Sequence, residues 1–288
     1  MTNLGILHPG QMGISVAASA KNSGCTVYWV GEGRSSQSHE RANQHGLQDA
    51  SSLTELCRAS DIIVSVCPPH AAEDVAIEVM RERFKGIFVD ANAISPQRSQ
   101  AIAAQVGQAG ASFVDGGIVG GPAWKPGTTW LYLSGPQAHA VADAFAAGPL
   151  GIEIIGSEIG KASALKMCYA ALTKGTTALL SATFGAARQL GVLDELMAEW
   201  GRGNSPAGQE NQRKVREVTA KAWRFVGEME EIAATFDAAG MPGGFHQAAA
   251  EIYARMAEFK DASGTPTLEE VLRALQSPAE SRIHSIRS

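Results

Sequence analysis

The chain has 288 residues, of which 45% are hydrophobic and 18% charged, and it carries a net charge of −5 at neutral pH. Those values fit a folded globular protein of about two domains and exclude a disordered one. The acidic balance and the low aromatic content, 6% of residues, argue against nucleic acid or anionic lipid as partners, because phosphates need a basic surface and bases need stacking platforms.

The first residues, MTNLGILHPGQMG, hold neither a basic n-region nor a long apolar run, so they do not read as a signal peptide. No stretch reaches about 18 uninterrupted apolar residues, so no membrane span is expected. A cytoplasmic protein is the expectation. Short apolar runs follow at 4–7, 26–30, 62–66, 87–89, 112–114, 130–133 and 152–155. Between most of them lie Ala-rich segments with helical spacing, such as 11–23, 71–83 and 97–109. Apolar strands alternating with helices predict a parallel sheet covered on both faces, wound in the right-handed sense.

After residue 160 no strand candidate remains. Residues 161–190 read as one long helix. Val215, Val218, Ala222, Phe225, Met229, Ile232 and Phe236 recur in alternating steps of three and four, the seam of a second helix that Gly240 and Pro242 end. Phe245, Ala249, Ile252, Met256 and Phe259 repeat the spacing. Thr267 and Glu270 form a capping-box pattern ahead of 268–275. The stretch 201–209 reads as a loop. The expected fold is α/β: a Rossmann-type doubly wound sheet in residues 1–157, followed by an all-α domain in 158–288.

The first strand runs into His8, Pro9, Gly10, Gln11, Met12 and Gly13. A dinucleotide site wants GxGxxG there, for a tight turn, close backbone approach to a pyrophosphate and close helix–strand packing. Gly10 and Gly13 fit the second and third places; His8 stands in the first, ahead of a proline that favours extended backbone. A plain strand-to-helix turn is the other reading. After the second strand, Glu32 can hold a ribose 2′-hydroxyl and favour NAD, while Gly33, Arg34 and Ser35 can hold a 2′-phosphate and favour NADP. A solvated Arg34 is the bland alternative. NADP is the expected cofactor, with NAD as the second choice.

Four segments in order resemble the β-hydroxyacid dehydrogenase superfamily, which includes 6-phosphogluconate dehydrogenase, 3-hydroxyisobutyrate dehydrogenases and imine reductases. His8–Gly13 is similar to its GxGxMG turn. Ser65, Val66, Cys67, Pro68 and Pro69 are similar to the loop beside the cofactor. Asp115 to Gly121 is similar to the substrate segment DAPVSGG, and Gly160 to Lys166 to the GxGxxxK stretch. Asp90 to Pro96, with Asn92, resembles the nicotinamide-side loop. The resemblance implies cofactor contacts at Cys67, Pro68, Pro69 and Asn92, substrate contacts at Val119, Gly120 and Gly121, and Lys166 as general acid/base. It also implies an oxidoreductase with a small-molecule substrate that assembles as a homodimer. Two positions depart from the pattern: Val119 stands where the family has serine, and Tyr169 where it has asparagine. Both losses remove groups that orient a small acid. They favour a substrate less simple than 3-hydroxyisobutyrate, and keep open an imine reductase in which Tyr169 donates a proton.

On the long helix, Ala162, Lys166, Ala170, Thr173 and Thr177 share one face, while Leu165, Cys168, Leu172, Leu179 and Leu180 read as core around it. Lys166 is either catalytic or a solvated helix lysine. Gly120 and Gly121 can offer N–H groups to an anion or simply make a turn. Trp124 and Trp130 read as core or as pocket walls. His246 either reaches the cleft or is a surface or core histidine. The four cysteines, Cys25, Cys57, Cys67 and Cys168, form no CxxC, and read as reduced core thiols. His39, His45, His70, His139 and His284 show no ligand spacing, so no metal site is expected. A dinucleotide-binding module without turnover is the remaining alternative.

Overall fold

The computed structural model describes residues 2–276; His284 lies outside them. Tertiary contacts divide the chain into a first unit ending at Met167 and a second starting at Cys168.

The first unit alternates strand and helix as the apolar runs predict. Its elements are β1 (Asn3–Ile6), α1 (Gln11–Asn22), β2 (Thr26–Trp29), α2 (Ser36–Gln44), β3 (Gln48–Asp49), α3 (Leu53–Ala59), β4 (Ile62–Ser65), α4 (Ala72–Arg81), β5 (Ile87–Asp90), α5 (Pro96–Gln108), β6 (Ser112–Gly120), β7 (Thr129–Ser134), α6 (Ala138–Asp143) and β8 (Gly151–Gly156). The sheet order is β3-β2-β1-β4-β5-β6-β7-β8. Chain order reverses between β1 and β4, which opens the crevice at the carboxyl ends where such sheets take ligands. Apolar side chains cover both faces. One cluster holds Ile14, Val16, Trp29, Leu131, Val141 and Phe145. The other holds Leu56, Ile63, Val79, Phe88, Ile102 and Phe113.

The expected all-parallel sheet needs a correction. β6 runs three times the length of its predicted run and turns back into an antiparallel β7, pairing Asp115 with Ser134 and Gly120 with Thr129. Only a short loop joins them, too short for a crossover helix. The strand β3, two polar residues paired to Tyr28 and Trp29, carries no apolar signal and was not anticipated.

A helix, α7 (Lys161–Gln189), begins in the first unit and continues into the second, which holds α8 (Leu193–Trp200), α9 (Ala207–Glu217), α10 (Thr219–Ala238), α11 (Gly244–Arg255) and α12 (Leu268–Gln276). The seam expected as one helix from Val215 is broken at Val218, which caps α9 and starts α10. Part of the expected 201–209 loop is a 3-10 turn, and α9 begins at Ala207. The capping box forms as read: Thr267 Oγ1 accepts the Glu270 N–H at 3.3 Å, and Glu270 Oε2 accepts the Thr267 N–H at 2.7 Å. Inside the second unit Lys174 and Glu228 pair, with the ammonium 4.3 Å over the Phe225 ring.

Among the described residues no helix is long and apolar enough to cross a membrane, and no group of three His, Cys, Asp or Glu side chains could hold a metal ion. Cys25 and Cys57 are buried thiols, but Cys67 is only half-buried and Cys168 is exposed, so the core reading fails for Cys168. It fails also for Leu165, Leu172 and Leu179, which are 39%, 74% and 54% exposed. Ala162 and Ala170 are buried, as are Met167 and Phe184 of the same helix.

Asp115, with no solvent exposure, fixes the start of α7. Its Oδ2 accepts the N–H groups of Gly160 and Ser163 and the Ser134 hydroxyl, each at 3.0 Å. Its Oδ1 accepts the hydroxyls of Ser99 at 2.9 Å and Ser163 at 2.5 Å. The carboxylate therefore satisfies two of the open donors at the helix N-terminus and sits at its positive end. Asp115→Ala is expected to destabilise the protein by about 3 kcal/mol or more, because several buried donors lose a charged acceptor together, whereas Ser163→Ala costs roughly 1–2 kcal/mol. Denaturant unfolding followed by circular dichroism measures both.

Candidate cofactor and active site

The turn between β1 and α1 is shaped by close approach. A Cβ on Gly13 would lie 2.0 Å from the His8 carbonyl oxygen, so only glycine lets α1 start this near the strand. Gly10 is the N-cap of α1, and no side chain caps the helix. Nothing stands within 4 Å of where a Gly10 side chain would be. The uncapped first turn and its dipole form a ready anion cradle with open space in front. Gln11 is exposed, Pro9 is buried, and Met12 packs against the core. His8 is half-buried. Burial first, and the Arg34 charge second, pull its pKa down to about 4. Its imidazole is thus neutral, and its Nδ1 has no protein partner.

Past β2, Gly33, Arg34 and Ser35 are exposed, with Glu32 beside them. Arg34 reaches back to the turn, donating from Nη2 to the Leu7 carbonyl at 3.2 Å. Arg41 on α2 does likewise, from Nε to the Pro9 carbonyl at 3.0 Å and from Nη2 to Ser38 Oγ at 3.2 Å. Ser35 caps α2 by accepting the Ser38 N–H. Two guanidiniums and two hydroxyls thus gather beside the turn, next to a cleft of about 130 Å³ that Leu7, His8, Val30 and Arg34 help to line. Sequence reasoning named Arg34 and Ser35 but missed Arg41 and Ser38. The three- and four-residue periodicity of α2 carried the signal, since Ser38 and Arg41 follow the cap on one helical face.

At the carboxyl ends of β4 and β5 a buried network ties two loops together. Asn92 Oδ1 accepts the Cys67 N–H at 2.6 Å, and Asn92 Nδ2 donates to Ser65 Oγ at 3.2 Å. Asp90 Oδ1 in turn accepts the Asn92 N–H at 2.9 Å. The Asn92 side chain is 3% exposed overall and turned toward the protein, so it fastens the Cys67 loop. Burial chiefly pushes the Cys67 thiol up to about 12, which leaves it a neutral thiol. Pro68 is exposed and Pro69 buried at the start of a short helical turn.

Lys166 stands one turn into α7, above β6. A Cβ on Gly117 would lie 2.6 Å from the Ala162 carbonyl and 3.2 Å from Lys166 Cβ, so glycine there clears the seat of the helix. Asp90 and Asp115 are register partners, and Gly117 lies two residues further toward the carboxyl side. The stem of Lys166 is thereby at the crevice end of the sheet. Burial pulls its pKa down from the usual lysine range to about 8.

The other expected residues scatter. Val119 is half-buried opposite Trp130, and Gly120 pairs with Thr129 at the end of β6. The Gly121 carbonyl accepts from Thr129 Oγ1 at 2.7 Å. Ala123, in the same hairpin loop, donates its N–H to Ser15 Oγ on α1 at 2.9 Å. Trp124 and Trp130 are 48% and 36% exposed rather than core, and Trp124 stacks on His45. Tyr169 is half exposed on α7. His246 is buried in the second unit, edge-on to Phe236 and Phe245, with its Nδ1 unpartnered.

Residues 3–145 match the family model of the NAD binding domain of 6-phosphogluconate dehydrogenase, and residues 187–256 match a domain of unknown function, DUF1932. An uncharacterized 28.5 kDa protein in the 7S RNA 5′ region of Methanothermus fervidus is 34% identical over 166 residues, 58% of this chain; the chain spans 63% of the length of that curated relative. A conserved protein of unknown function, described as structurally similar to 3-hydroxyacid dehydrogenases, superposes with a TM-score of 0.66 at 24% identity, covering 96% of this chain and 100% of its own. The Mycobacterium tuberculosis 3-hydroxyisobutyrate dehydrogenase, solved with L-serine, gives a TM-score of 0.64 at 18% identity, with 96% and 100% covered. Residues 3–145 are therefore similar to the NAD binding domain of 6-phosphogluconate dehydrogenase, and the chain shares the fold of the 3-hydroxyacid dehydrogenase-like structures, with a distinct helical C-terminal region.

Proposed function

We propose that the chain is an NAD(P)-dependent oxidoreductase acting on a hydroxy or oxo compound, with Lys166 as general acid/base. The observation that carries this reading is Lys166, whose Cβ packs beside Gly117 at the crevice end of the sheet and whose amine has its pKa brought down to about 8 by burial. The turn fits a dinucleotide: the uncapped α1 N-terminus and the open space at Gly10 suit a pyrophosphate. Bound there, the nicotinamide supplies or accepts hydride. The protein's own task is the proton. As an ammonium Lys166 donates to a carbonyl oxygen during reduction, and as an amine it takes the hydroxyl proton during oxidation.

Arg34 and Arg41, with Ser35 and Ser38, favour NADP. Guanidiniums grip a phosphate at two points and hydroxyls complete the shell. A second reading, reduction of imines, draws on Val119: an apolar side chain at that place suits a substrate without a carboxylate. The homodimer expected from the sequence is supported by Tyr169, Leu172, Leu179 and Leu190, exposed at 50%, 74%, 54% and 75% along α7 and just after it. That is more apolar surface than a lone helix usually leaves in water.

The panel that tests the reading sets hydroxy acids, ketones and cyclic imines against both cofactors, followed by the absorbance of reduced nicotinamide. Lys166→Ala is expected to lower kcat by about 10²- to 10⁴-fold on the accepted substrate while cofactor affinity holds. In the wild type, reduction should slow as pH rises through about 8, where the ammonium is lost, and oxidation should speed up over the same range. Both limbs should vanish in the variant. Arg34→Ala is expected to weaken NADPH binding by roughly tenfold or more and to leave NADH nearly unchanged, since only the former carries the phosphate; fluorescence titration reads both. Leu172→Glu should convert the dimer to a monomer in sedimentation velocity.

A further inference from the structure

We propose that Asp90 decides which oxidation state of the nicotinamide the chain prefers: its carboxylate, held at the carboxyl end of β5 with one oxygen unpartnered, puts negative charge at the nicotinamide end of the crevice and favours the cationic, oxidised ring over the neutral, reduced one. This rests on the cofactor reading above.

Asp90 is 1% exposed. One oxygen accepts the Asn92 N–H, while Oδ2 has no protein hydrogen-bond partner. Buried polar atoms are nearly always satisfied, so an orphaned carboxylate oxygen needs a reason. Holding Asn92 is not that reason, because an asparagine carbonyl would accept the same N–H without a buried charge. The contrast with Asp115, its register partner on β6, is plain: that carboxylate is saturated by five donors. The charged and titratable groups facing Asp90 are Asp115 from β6, Arg98 from α5 and Cys67 after β4. Cys67 is a neutral thiol. Burial, opposed by the hydrogen bonds from Asn92, raises the Asp90 carboxyl to about 7. The charge is therefore conditional near neutral pH. A cationic ring nearby draws it out and a neutral ring does not. By reciprocity, binding of the oxidised nucleotide expels a proton from Asp90, and binding of the reduced one leaves it in place.

Isothermal titration calorimetry of the full chain with NADP+ and NADPH, from about pH 6 to about 8.5 and in buffers of different ionisation heat, tests this. The 2′-phosphate ionises near 6 in both nucleotides, so it cancels in the ratio of the two affinities. In the wild type that ratio should shift toward NADP+ by about tenfold as pH rises through neutrality, the scale expected for two unit charges several ångströms apart in a protein. Proton release should be greater on binding NADP+ than on binding NADPH. In Asp90→Asn the shift centred near neutrality should be gone, leaving only the part near pH 8 that follows the Lys166 amine, and the ratio at about pH 7.5 should be about tenfold less favourable to NADP+, with the difference in proton release near neutrality lost. A pH-independent ratio in the wild type overturns the proposal, whatever the stability of the variant. So does an Asp90→Asn protein that keeps the wild-type ratio and proton release. If the wild type binds neither nucleotide, the cofactor reading falls, and this one falls with it.

Discussion

A single buried carboxylate holds the functional geometry in place. Asp115 sits in the middle of β6 and gathers the first turn of α7, a strand serine and a serine of α5 around two oxygens. An ion so deep in protein is tolerated only when its surroundings replace the water it lost. Here the replacement is made of helix N–H groups and hydroxyls, so the requirement to solvate the charge becomes a requirement to place the helix. Lys166 lies one turn beyond that anchor. Its amine is depressed by the same burial that the anchor enforces.

The β1–α1 turn works by the opposite logic. Where Asp115 consumes donors, the turn leaves them open: no side chain caps α1, and Gly10 faces empty space. His8 fills the place of a first glycine without blocking this arrangement, because its ring is neutral and its carbonyl is what Gly13 approaches. The arginines Arg34 and Arg41 grip carbonyls of the same turn. They are thereby fixed beside the cradle before any ligand arrives, which spares part of the ordering cost of binding.

Much of the first unit was legible because its strands are apolar runs and its helices amphipathic, and both leave a periodic trace. The parts that were not legible lack that trace. β3 is two polar residues. The far half of β6, from Asp115 to Gly120, is rich in glycine, and its polar or small residues hide a strand that is buried by a helix lying on it. Leu172 and Leu179 misled for a related reason: a leucine on a helix declares that it is apolar, not what covers it. Among the candidate site residues, Arg34 and Lys166 stood out as charges at marked places, whereas Arg41 looked like any surface arginine until folding brought α2 to the turn. Asn92 was visible as a polar residue in a loop, but nothing local shows that its amide is spent on Cys67 and Ser65.

The contact between Ala123 and Ser15 ties the β6–β7 hairpin to the helix behind the phosphate turn, and Ser15 itself donates to the Met12 carbonyl. The hairpin tip and that helix must consequently travel as one piece. A flap motion of the tip alone would take the buried Ala123 N–H from its acceptor, so opening to admit and release reactants costs less in a part of the chain that is not stapled to α1.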